Sequence, residues 1–145
     1  MANNIGLVSL NGIYHEDSQV TWNLASGIVA ADVGKAVTID SSAANTVKLA
    51  GDGEAILGRL EVVESRAQEG AAALTGAVAM RGSYKFLVNP DAVASPDETP
   101  AVGDYLVGGT DDDTVKGYVQ KSADNAATGW LTVEVGSGYV IAIKV

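Results

Sequence analysis

Residues Glu54–Glu64 read EAILGRLEVVE, the longest clean strand pattern in the chain. Ile56, Gly58, Leu60 and Val62 fall on one face, and Leu57, Arg59, Glu61 and Val63 fall on the other. A period of two with one apolar and one mixed face is the mark of a strand at the boundary of a core. Asp52-Gly53 supplies a turn before it, and Gly58 invites a bend or a close backbone approach.

Working outward, the same grammar recurs. Upstream, Gly27-Ile28-Val29 reads as a short strand, Asp32–Lys35 as a turn, and Ala36–Ile39 and Thr46–Leu49 as strands flanking the polar loop Asp40–Asn45. Downstream, Ala71–Met80 reads as a strand broken by Gly76, and Ser83–Val88 as a strand that Asn89-Pro90 ends. Tyr105–Val107, Thr114–Gln120, Trp130–Val135 and Tyr139–Val145 complete the set. No stretch sustains a helical period, so the fold class is mainly β: a small β-barrel, or a β-roll or sandwich.

Two turns echo each other. Asp32-Val33-Gly34-Lys35-Ala36-Val37 resembles Ala101-Val102-Gly103-Asp104-Tyr105-Leu106. Each is followed by a strand with a central glycine, Leu57-Gly58-Arg59-Leu60 and Lys116-Gly117-Tyr118-Val119. The pattern suggests two related sheet units within one domain, residues 27–145. All three prolines lie in 89–101, which reads as the surface loop joining the units, because proline lacks the donor a central strand needs. Residues 1–26 have no single period and read as an irregular N-terminal arm, docked through Trp22 and Leu24, with Ile13 and Tyr14 as further contacts.

Composition narrows the function. The formal net charge of −9 argues against nucleic acid as a partner, since a phosphate backbone calls for clustered Lys and Arg. With no cysteine, disulfides, Cys-based zinc sites and thiol nucleophiles are excluded. The opening MANNIGLVSLNG has neither the basic start nor the apolar run of a signal peptide, and Ala71–Met80 is too short to span a bilayer, so no membrane partner is expected. Aromatic residues are 6% of the chain and 17 residues are glycine, so the core has small side chains and contacts outside the chain are expected to add stability.

Three clusters carry groups capable of chemistry. Asp111-Asp112-Asp113 lacks the alternating spacing of a calcium loop and reads as a solvated acidic loop tip. His15, beside Glu16 and Asp17, is the single histidine and has no nucleophile motif to serve. Arg59, Arg66, Arg81 and Lys85 form a basic set; Arg59 and Lys85 are expected on the outward faces of neighbouring strands, as cross-strand partners of Glu61 and Glu64 or as contacts for an acidic rim on a partner. The glycine-rich stretches lack the context of a phosphate loop. No catalytic residue, metal or cofactor is expected, and a structural or interaction role fits better than an enzyme.

The opening MANN, Gly27–Val37 (GIVAADVGKAV), Gly51–Leu60 (GDGEAILGRL) and Val102–Gly108 (VGDYLVG) resemble the small capsid decoration, or cement, proteins of tailed bacteriophages. The resemblance runs loosely from Gly27 to Val119 and rests on turn motifs. It implies a non-enzymatic protein on the outer surface of an assembled phage head, stabilising it by binding the major capsid protein, with a homotrimer favoured. It further implies an N-terminal segment that orders on the capsid, with Ile5, Leu7, Ile13 and Trp22 as anchors. Arg59, Arg81, Lys85 and Trp130 are the candidate interface residues. The alternatives are a phage tail or baseplate component, or a carbohydrate-binding β module in which Trp130, Tyr139, Tyr118 and Tyr105 form a stacking platform.

Overall fold

The structure is a computed structural model of the 145-residue chain and describes residues 19–65, 74–93, 98–110, 112 and 114–145. Strands β1 (Gln19–Leu24), β2 (Ala36–Ile39), β3 (Thr46–Leu49), β4 (Gly58–Ser65) and β5 (Leu74–Ala79) form a closed barrel in the order β1-β3-β2-β4-β5. The β1–β3 pair is parallel and the other pairs are antiparallel.

Strands β6 (Ser83–Leu87), β7 (Leu106–Gly108), β8 (Val119–Lys121), β9 (Trp130–Gly136) and β10 (Tyr139–Lys144) build a second unit. It contains a sheet β6-β10-β9 and a pair β7-β8. Single bridges join these pieces, Tyr105 to Leu131 antiparallel and Val88 to Val119 parallel. The resulting order, β6-β8-β7-β9-β10, repeats that of the first barrel, including the one parallel link.

The agreement extends to individual residues. Gly34 and Gly103 both sit at positive φ, +94° and +93°, where a side chain would be strained. The Gly34 N–H donates to the Leu60 carbonyl at 2.7 Å and the Leu60 N–H to that of Lys35 at 2.9 Å; Gly103 with Thr132, and Thr132 with Asp104, repeat this at 2.9 and 2.8 Å. Each unit also carries a β-bulge at the same place. The pairing skips Glu61 between Leu60–Val78 and Val62–Ala77, and skips Val133 between Thr132–Ala142 and Glu134–Ile141. Core positions match in turn: Leu24, Val37, Val47 and Val78 in the first unit correspond to Val88, Leu106, Val119 and Ala142 in the second, all buried.

The Val-Gly turns thus occupy equivalent positions, but the later halves of the repeat align differently from the sequence expectation. Gly58-Arg59-Leu60 corresponds to Trp130-Leu131-Thr132, not to the stretch around Gly117. Gly117, at φ +86°, belongs to the turn before β8, which is why residues 114–118 are not strand. The units meet in sequence at Met80–Gly82. In sequence the proline-rich segment 89–101 falls between β6 and β7, both strands of the second unit, as Ala25–Lys35 falls between β1 and β2.

Other expectations change for physical reasons. The supposed arm 1–26 includes β1, which closes the barrel against both β3 and β5. Gly27–Val29 is not a strand: it precedes a 3-10 turn, Ala30–Asp32, that the Asp32 carboxylate holds by accepting the Val29 N–H at 2.8 Å. Gly76 does not break β5. An added Cβ there would strike the Val62 carbonyl and the Leu24 side chain, so glycine permits the tight packing at that point. The stretch Glu54–Glu64 is regular strand only from Gly58, and the bulge at Glu61 turns Val62 outward, to 39% exposure, while Leu60 is fully buried.

The two units share one continuous seam. Ala36, Ala50, Ile56 and Ala79 of the first unit pack into the same core as Tyr84, Phe86, Val88, Leu106, Val119, Trp130, Val140 and Ala142 of the second. A separate core, Leu24, Ile28, Val37, Val47, Leu60 and Val78, fills the first barrel.

Candidate functional site

The seam is held by paired backbone hydrogen bonds. The Ala36 N–H donates to the Gly117 carbonyl at 2.8 Å, and the Gly117 N–H to that of Ala50 at 3.0 Å. The Gly53 N–H donates to the Gly108 carbonyl at 2.9 Å, and the Gly108 N–H to that of Glu54 at 2.8 Å. Ala55 and Val107 form a bridge beside them. The glycines are required by contact: a Cβ on Gly108 would strike the Gly51 carbonyl oxygen, and one on Gly117 would lie 2.9 Å from Lys35 Cβ.

Charged side chains flank the seam. Arg59 lies over the Tyr84 ring, 5.7 Å from guanidinium carbon to centroid, and reaches Glu61 at 3.5 Å. Burial pushes the Glu61 carboxyl above its ordinary value, and Arg59 offsets only part of that. Arg59 Nε and Glu61 Oε1 are buried without a hydrogen-bond partner. Arg59 and Lys85 are not on neighbouring strands as expected, because β4 and β6 belong to different sheets. Lys85 lies 4.3 Å over the Tyr139 ring, and Arg81 is exposed in the link between the units.

Trp130 does not belong to a surface. It is fully buried, with its ring 5.1 Å from Phe86 and 6.4 Å from Tyr84 in edge-on contact. It is therefore a core side chain, withdrawn from both the candidate interface and the stacking platform. Of the other platform residues, Tyr139 is covered by Lys85, and Tyr118 has Lys35 Nζ 5.7 Å from its centroid. Trp22 is half-buried in β1 and packs against the first barrel's core. Ile5, Leu7, Ile13, His15 and Arg66 lie outside the described residues.

Two grooves open on the surface of the described residues. One, of about 510 Å³, is lined by residues 25–29, Asp32, Lys48, Leu49 and Lys116. The other, of about 520 Å³, is lined by Glu98, Gln120, Lys121 and residues 123–125. They are related by the internal repeat: Lys48 and Leu49 on β3 correspond to Gln120 and Lys121 on β8. The first has Lys48 bound to Glu54 at 2.6 Å and Lys35 to Asp32 at 2.7 Å. Burial alone would raise the Glu54 pKa, but hydrogen bonds from Lys48 and the Gly51 N–H outweigh it and hold the carboxyl below its ordinary value. The second groove has Lys121 at 3.5 Å from Asp104. No sequence signal marks either groove, because their walls come from loops that only the barrel closure brings together.

The acidic loops are turn chemistry. Asp40 accepts the N–H and hydroxyl of Ser42 at 2.9 and 2.6 Å, and Asp112 accepts those of Thr114 at 2.9 and 2.8 Å. Those bonds lower both carboxyl pKa values. Asp111 and Asp113 are outside the described residues, and among the described residues no three His, Cys, Asp or Glu side chains gather as a metal site would require. No helix among the described residues is long and apolar enough to cross a membrane. Compared with known protein families, curated proteins and solved structures, the chain matches none.

Proposed function

We propose that this chain is a non-enzymatic decoration protein of a tailed-phage head, binding the outer surface of the assembled shell through the major capsid protein and stabilising it. One observation carries the reading. The stretches that resemble decoration proteins, Gly27–Val37, Gly51–Leu60 and Val102–Gly108, are knit into a single framework. The first binds the second through Gly34, Lys35 and Leu60, and the second binds the third through Gly53, Glu54 and Gly108. On this reading the framework presents surface loops and the N-terminal segment to the shell, with Ile5, Leu7 and Ile13 as anchors. Trp22 supports the segment from within the barrel.

The test is co-sedimentation of the purified protein with expanded, DNA-free heads and, separately, with unassembled capsid subunits of the phage of origin. Saturable binding to heads, and none to subunits, is the expected result. Absence from purified virions together with no binding to heads would overturn the proposal. A few copies per virion, found in the tail fraction, would move the role to the tail or baseplate.

A further inference from the structure

We propose that the chain also associates with copies of itself head to tail, the open end of the first barrel of one copy docking on the loop face of the second unit of another. This does not rest on the capsid reading.

The seam inside the chain is the template. It is heterologous: the first unit contributes one surface, around Ala36, Ala50–Ala55 and Arg59, and the second contributes a different one, around Tyr84, Val107, Gly108 and Gly117. Since the units are equivalent strand for strand, each surface exists twice, and the seam uses each once. The spare copy of the second surface lies on the first barrel, at Val20, Thr38, Ile39 and Asn45. The spare copy of the first lies on the second unit, at Tyr105, residues 122–127 and Leu131.

Burial differs at the spare copies as this predicts. Tyr84 is 2% exposed at the seam, whereas its counterpart Val20 is 39% exposed; Gly108 is buried, whereas its counterpart Ile39 is 47% exposed. The second unit's core is closed at this end by residues of the first, and the first barrel's core has no such lid from the second. Val20 and Ile39 are thus apolar side chains exposed at the positions whose counterparts the seam covers.

The seam contacts also translate into compatible pairs. Arg59 over Tyr84 becomes Leu131 against Val20, an apolar pair. Ala55 beside Val107 becomes Ala127 beside Thr38. The hydrogen bond from Gln120 to Asp52, 3.1 Å, becomes Lys48 facing Asp124, an ion pair. A lysine ammonium has three donors, so Lys48 can keep Glu54 and still take Asp124.

The translation fails in two places, and this sets the strength. Ile39 and Asn45 stand where Gly108 and Gly117 let the backbones touch, so copies meet through side chains across a wider gap. The Tyr105 N–H, equivalent to the Ala36 N–H that spans the seam, is already bound to Asn125 Oδ1 at 2.7 Å. The contact between copies is therefore weaker than the seam and reversible.

The experiment uses the full chain. Light scattering from micromolar to millimolar concentration should give a molar mass that rises above the monomer's. Ile39→Glu, at an exposed site, should weaken association ~10-fold or more. The chain has no cysteine, so Thr38→Cys with Ala127→Cys should cross-link between copies through a flexible bis-maleimide that spans the wider gap, while Thr38→Cys alone should not. A monomer at every concentration overturns the proposal. So does association indifferent to Ile39→Glu, or Thr38→Cys alone cross-linking as well as the pair, which would mean a two-fold contact instead.

Discussion

Replacing Gly108 by alanine should separate the seam from its spare copy. The added Cβ would meet the Gly51 carbonyl oxygen, so the β3–β4 turn must move, and with it the paired hydrogen bonds between Gly108 and Gly53–Glu54, 2.9 and 2.8 Å. Overpacking of this kind costs about 1–3 kcal/mol. Weakening two hydrogen bonds adds about 0.5–1.5 kcal/mol each. Alanine offsets part of this, about 0.4–1 kcal/mol, by restricting the unfolded chain. The net loss is then about 1–5.5 kcal/mol, centred on ~3 kcal/mol. At a urea dependence of ~2 kcal/mol per molar, the midpoint falls by roughly 0.5–3 M. The control is Ile39→Ala, the equivalent position in the first barrel, where the side chain is 47% exposed and no neighbouring unit presses on it. That variant should lose about 1 kcal/mol or less when measured dilute, where association between copies does not contribute. The assay is equilibrium urea unfolding followed by tryptophan fluorescence. A Gly108→Ala protein within about 0.5 kcal/mol of the parent would refute the seam argument.

Other outcomes follow from the same structure. Trp130→Ala should cost about 3–5 kcal/mol, as a large buried ring does, and its effect on any binding should track loss of fold, checked by circular dichroism alongside binding. Glu61 and Glu54 should act in opposite senses with pH. The Glu61 carboxyl is raised above its ordinary 4.5 by burial, so the folded state holds its proton more tightly, and stability falls as pH rises through the folded value. Glu61→Gln should therefore be more stable than the parent at neutral pH, with the gap closing below pH 4.5. Glu54 is lowered, so its contribution is present above its ordinary 4.5 and is lost as pH falls through the folded value, and Glu54→Gln should flatten the acid limb of a stability–pH curve. Removing residues 1–18 should leave both units folded and, on the proposed decoration role, weaken co-sedimentation with heads. Removing residues 1–24 should unfold the first barrel, because β1 goes with them; equal stability of the two truncations would disprove that.

Much of the β architecture was legible, because alternation and turn glycines are local signals. Ala36–Ile39, Thr46–Leu49 and Trp130–Val135 announce themselves in this way, and Gly34 and Gly103 mark the repeat. What could not be read was anything decided by closure. Glu61 looks like one more outward strand residue, yet it is a bulge that turns Val62 to solvent. Trp22, in a polar stretch, looks like an anchor for an arm, yet its strand pairs with a partner more than fifty residues away at Gly76. Trp130, at the start of a strand, reads equally as a core cap, an interface residue or a stacking surface until the fold encloses it. The proline-rich loop looks like a boundary because composition shows where chain is irregular, not where one unit ends. Among the candidate site residues, Arg59 was legible as charged and outward, but its place over Tyr84 depends on the second unit's docking.

The order of strands along the chain bears on how the protein is made. All strands of the first barrel are complete by Ala79, before any strand of the second begins at Ser83. A chain synthesised from its N-terminus can therefore close the first barrel, with its parallel β1–β3 link, while the second unit is still being added. The reverse order would not serve as well, since the second unit's core is completed by Ala36, Ala50, Ile56 and Ala79 of the first. The earlier barrel is thus a surface on which the later one condenses, and damage to the first should be felt as misfolding of both.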